Sequence, residues 1–112
     1  MQMEFTGDEL ILALVSLIRA TNPAMLRQGP DGFTFDFQLL EAKGELSADE
    51  MLLLKLRAAL ESQGTSAHSL KLATAEAKRL AETIERVESL QPWPTDVLEM
   101  SRNLRARLTA AV

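Results

Sequence analysis

The stretch TGDELILALVSLIRA, residues 6–20, decides how this chain folds. Thr6 is followed three residues later by Glu9, a capping-box pattern. The hydroxyl accepts from a free backbone N–H of the first turn, and the carboxylate reaches back to the N–H of the cap residue. A helix from about Gly7 to Ala20 follows from that start. Its apolar positions Leu10, Ile11, Leu12, Leu14, Val15, Leu17 and Ile18 cover nearly the whole circumference. A helix apolar all round must be buried on several sides, by the rest of the chain or by a second subunit. The run from Leu10 to Ile18, interrupted only by Ser16, is far shorter than the roughly 20 residues a membrane span needs. Glu4, Asp8 and Glu9 precede it instead of positive charge, which argues against a secretory signal. Asn22-Pro23 ends the helix, because the residue before proline avoids the helical region.

Downstream the period changes. Phe33, Phe35 and Phe37 alternate with Thr34 and Asp36, a strand pattern, and the turn sequence Gly29-Pro30-Asp31-Gly32 precedes them. The segment 24–37 therefore reads as a β-hairpin, Ala24–Gln28 against Phe33–Phe37, with three phenyl rings on one face. A lone hairpin is marginal in water, so that face needs helices or another chain to pack on. Gln38–Lys43 reads as a short helical turn stopped by Gly44, or as an extension of the strand.

Ser47 and Glu50 repeat the capping box and start a second long helix, 48–62, with Leu52, Leu53, Leu56, Ala59 and Leu60 on its apolar face. Gln63–Ser66 reads as a loop. A third helix is expected over 67–90, where Leu70, Ala73, Ala77, Leu80, Ile84 and Val87 keep 3-4 spacing. Two prolines around Trp93 break it, and Thr95 caps a fourth helix over 95–111 lined by Val97, Met100, Leu104 and Leu108. At about 1.5 Å per residue the third helix is roughly 36 Å long and the fourth roughly 27 Å. The segment around Leu70 and Ala73 thus overhangs and needs another element to cover it. The expected architecture is mainly α with minor β. It is one domain, 1–112, resembling a four-helix bundle, with a β-hairpin between helices one and two and a C-terminal antiparallel helical hairpin.

Net charge is −4 and unevenly spread. Residues 1–66 carry five basic and ten acidic side chains, and residues 67–112 carry seven and six. Neither part has the dense basic stripe that neutralises phosphates, so nucleic acid is not an expected partner, and an acidic chain is repelled by anionic membranes. Cysteine is absent, which removes disulfides, Cys-based zinc sites and thiol chemistry, and fits a cytoplasmic location.

The acidic pairs Asp8-Glu9 and Asp49-Glu50 sit in first helical turns, where capping and the helix dipole explain them better than metal binding does. His68 is the sole histidine, with no neighbouring carboxylate to orient it. Asp31 and Asp36 lack the alternating oxygens of a calcium loop. No phosphate-cradling glycine loop, nucleophile elbow or zinc-binding helix occurs. No catalytic residue, cofactor, metal or small-molecule substrate is therefore expected, and the chain does not read as an enzyme. Trp93 is either a plug in the last helical turn or an exposed anchor. The expected function is a small cytoplasmic protein-interaction or assembly module of adaptor, chaperone or antitoxin type. It would act as a homodimer or on a protein partner, with Leu14, Phe33, Phe35, Phe37 and Trp93 as the contact residues. Two alternatives remain. One is a small ligand-binding domain or enzyme whose site assembles from distant polar residues such as Asp36, His68, Glu85 and Arg86. The other is a DNA-binding regulator using the arginines Arg102, Arg105 and Arg107.

Overall fold

A computed structural model describes residues 2–30, 32–42, 44–61, 67–90 and 93–110, with side chains at all of these except 28, 32, 33, 67 and 68. The chain runs β1 (Gln2–Thr6), α1 (Gly7–Thr21), β2 (Leu26–Gly29), β3 (Gly32–Phe35), α2 (Gln38–Glu41), α3 (Ala48–Glu61), β4 (Ala67–Lys71), α4 (Thr74–Leu90) and α5 (Thr95–Ala110), with a 3-10 turn at Pro23–Met25. It is a mainly helical fold with minor β structure, as the periodicities imply. The β part is two separate antiparallel pairs, β1–β4 and β2–β3.

The apolar first helix is buried by its own chain. α1 packs against α3, α4, α5 and β1, and Leu10, Ala13, Leu14, Leu17 and Ile18 are fully enclosed. Its start is the expected box: the Glu9 N–H donates to Thr6 Oγ1 at 3.1 Å, and the Thr6 N–H donates to Glu9 Oε1 at 2.9 Å. Ser47 and Glu50 repeat that geometry at 3.2 and 3.0 Å at the head of α3. α3 ends where expected as far as Glu61, and α5 runs to Ala110; Ser62, the loop 63–66 and Ala111 lie outside the described residues.

The expected third helix is corrected at its start. Residues 67–71 are not helical; they form β4, paired in register with β1 from Gln2↔Lys71 to Thr6↔Ala67. The reason is a period-two pattern on both segments. Met3 and Phe5 on β1, with Leu70 on β4 and Leu72 just after it, turn inward, while Gln2, Glu4, Ser69 and Lys71 stay exposed. This pair, and not a helical overhang or a second subunit, covers the end of the core around Leu70. α4 begins at Thr74, with the Ala73 N–H donating to Glu76 Oε1 at 2.8 Å. From Ala77 onward the seam is as expected, with Ala77, Leu80, Ile84 and Val87 buried. α4 and α5 form the C-terminal antiparallel hairpin. Ser101 donates to Glu88, while Arg105 meets Glu88 at 2.9 Å and Glu85 at 3.8 Å, so the two helices run past each other in opposite senses.

The β-hairpin exists but is shorter than expected. Its register runs from Leu26↔Phe35 to Gly29↔Gly32, because Pro23–Met25 coils into the 3-10 turn and Phe37 adopts a helical backbone (φ −73°, ψ −11°) at the head of α2. The three-ring strand face is therefore corrected. Phe37 leaves the strand and is buried in the core, and Phe35 is half-buried against it, the rings meeting edge to face at 6.1 Å. The Phe33 side chain lies outside the described residues. Gln38–Glu41 resolves as the helical turn.

Candidate functional site

The expected contact residues part company in the structure. Leu14 is fully buried in the core and can touch no partner of the folded chain; this corrects its assignment as a contact residue. Phe37 is likewise core, capped by the Arg57 guanidinium 4.7 Å from its ring centroid. Phe35 and the edge of Phe37 line a polar pocket beside the hairpin, and Trp93 lies at a separate surface groove.

That groove has a volume of about 280 Å³ and runs between α1 and α5. Asp8, Ile11, Leu12 and Val15 line it from α1, and Trp93, Asp96, Val97 and Met100 line it from the α5 side. Positions 8, 11, 12 and 15 recur at spacings of three and four, so they share one helical face. Leu12 and Val15 are buried and form the floor, whereas Ile11 is 40% exposed. Trp93 is half-buried and packs against the core, and its indole N–H finds no acceptor among the described residues. It is thus both plug and wall. Ile11, Val97 and Met100 were legible as apolar positions but not as a site, because nothing local distinguishes an apolar residue beside a groove from one beneath it.

The polar residues considered for a distributed site do not converge. Asp36 bonds Arg27 in the hairpin at 3.3 Å, Glu85 faces Arg105, and Arg86 lines a different groove. His68 pairs through its backbone with Phe5, and its side chain is outside the described residues. A more polar pocket, about 430 Å³, does gather Arg27, Asp36, Phe37, Glu41 and Arg57 beside the hairpin. Its charges neutralise one another: Arg57 bonds Glu61 at 3.0 Å and lies 3.6 Å from Glu41. The Glu61 hydrogen bond, opposed by desolvation and helped by the charges of Glu61 and Glu41, raises the Arg57 pKa further above its ordinary value. Such a network holds α2 to α3.

Two of the three arginines considered for DNA are also engaged. Arg107 bonds Glu9 and donates to the Glu4 carbonyl at 3.0 Å, and Arg105 bonds Glu88. Among the described residues no group of three or more His, Asp or Glu side chains is placed to hold a metal ion, and no helix is long and apolar enough to cross a membrane. No family model, curated protein or solved structure matches this chain.

Proposed function

We propose that this chain is a small cytoplasmic protein-interaction module that docks a protein, another copy of itself included, on the α1–α5 groove. The carrying observation is the composition of that groove. Ile11, Trp93, Val97 and Met100 form an apolar strip that the fold leaves at the surface beside two exposed carboxylates, Asp8 and Asp96. Trp and Met are enriched at protein interfaces, where an apolar centre within a polar rim is the usual anatomy. The groove is at the small end of what encloses a small molecule, and its walls carry no converging hydrogen-bonding set. Arg105 and Arg107, already paired within the chain, do not form the basic stripe that duplex DNA requires.

The test is a photo-activated cross-linking residue placed at Ile11 in the native host, with Lys78 on the exposed side of α4 as control. The reading expects a discrete protein adduct at position 11 that is absent at 78. No protein adduct at 11, or the same adducts at both positions, contradicts it.

A further inference from the structure

A second groove lies next to the first. Arg19, Ala20 and Pro23 at the end of α1, with Arg86, Val87 and Leu90 of α4, enclose about 260 Å³. Arg19 continues the face of α1 that carries Asp8, Ile11, Leu12 and Val15, since 15 to 19 is one further step of four. Leu90 and Trp93 stand on either side of the short connection between α4 and α5. The two grooves are therefore neighbours on one side of the molecule.

Their chemistry is complementary. The first has an apolar centre and carries Asp8 and Asp96. The second carries Arg19 and Arg86 around Leu90, whose 74% exposure is the greatest of any large apolar residue among those described. None of these four charged side chains has an ion-pair partner among the described residues. Arg27, Arg57, Arg79, Arg105 and Arg107 are paired, and Arg102, which is also without an ion pair among the described residues, lines neither groove. Four unengaged charges of two signs, sorted into adjacent patches, are what an isologous contact uses. Across a two-fold axis patch A meets patch B of the partner while patch B meets patch A.

Building on the interaction-module reading, we infer that the occupant of the groove is a second copy of this chain in a closed two-fold dimer. Leu90 of each copy enters the Ile11–Trp93–Met100 groove of the other, and Arg19 and Arg86 face Asp8 and Asp96 across the seam. A two-fold axis between the patches engages both at once, so the contact closes as a dimer and leaves neither patch free to propagate a filament.

Charge swapping tests this. Asp8→Lys with Asp96→Lys makes the whole face basic, and Arg19→Glu with Arg86→Glu makes it acidic. Sedimentation equilibrium should show the wild type as a dimer and each double variant self-associating at least about tenfold more weakly, a loss of about 1.4 kcal/mol. An equimolar mixture of the two variants should restore the dimer, since both junctions then pair opposite charges. Circular dichroism checks that each variant is folded. Leu90→Glu, at an exposed position, gives a second variant that disrupts the contact without touching the core. A wild type that stays monomeric to about 100 μM, or a dimer indifferent to both the charge variants and Leu90→Glu, overturns the inference. A monomeric wild type that still cross-links a different protein at Ile11 removes the dimer and leaves the interaction module standing. Absence of any adduct at Ile11 removes the module itself.

Discussion

At the scale of single residues the core contains one conspicuous misfit. Ser16 is fully buried in α1, and its hydroxyl has no hydrogen-bond partner among the described residues. An unsatisfied buried hydroxyl costs about 1–3 kcal/mol, and alanine is also the better helix former. Ser16→Ala should therefore stabilise the protein by about 1 kcal/mol, read as a higher midpoint in urea with unchanged slope. A lower midpoint would mean that the hydroxyl has an acceptor. The same helix allows a paired comparison. Leu14 is enclosed on all sides, so Leu14→Ala should cost about 2–5 kcal/mol, whereas Ile11→Ala, at the groove, should cost less than about 1.5 kcal/mol. Similar losses at both positions would place Ile11 in the core and close the groove.

At the scale of elements, charged side chains tie the helices to one another at their ends. Glu9 Oε1 accepts from Thr6 while Oε2 bonds Arg107, joining β1, α1 and α5. Arg79 meets both oxygens of Asp49, with three contacts of 3.1 to 3.2 Å between α4 and α3. Glu76 accepts from the Ala73 N–H and from Lys55, each at 2.8 Å. Partial burial pushes the Glu76 carboxyl up, but those two donors together with the Lys55 charge outweigh it and hold its pKa below the ordinary value. A carboxyl depressed in the folded state stabilises the fold above its unfolded pKa, about 4.3, and loses that contribution as pH falls through the folded value. Glu76→Gln keeps an acceptor for Ala73 but cannot ionise. Denaturant titrations should show wild type and variant converging as pH drops below about 4; a gap that is constant with pH would deny the ionic part. On β1, Phe5→Ala should cost about 3–5 kcal/mol and Glu4→Ala less than about 0.5 kcal/mol, because only the first is enclosed. Equal effects would mean that the β1–β4 pair is not part of the core.

Elements with local chemistry were legible. Both capping boxes, the proline breaks and the seam from Ala77 to Val87 needed only neighbours within four residues. β1 and β4 are not legible in the sequence, although each carries the alternation that makes it a strand. Five residues of period two cannot outweigh a long 3-4 seam that happens to include Leu70 and Ala73, and the partner strand lies some 65 residues away in sequence. The Phe33–Phe37 alternation overstates the strand for the converse reason: the backbone turns helical at Phe37 and takes its ring into the core.

At the scale of the whole molecule, the surplus of apolar surface on the first helix has a specific resolution. β1, α3, α4 and α5 enclose most of it, and what they leave is a strip at Ile11 between α1 and α5, walled by Trp93 and Met100. The central claim is that a second copy of the chain docks on this strip. The chain has one tryptophan, so its emission reports on that groove alone. The most direct measurement is a dilution series in which molecular mass by sedimentation and Trp93 emission are recorded on the same samples. The account predicts that the emission maximum moves to shorter wavelength in step with the doubling of mass, as a second copy covers the groove and excludes water from the indole. A mass that doubles while the emission stays fixed, or a mass that never doubles, would contradict it.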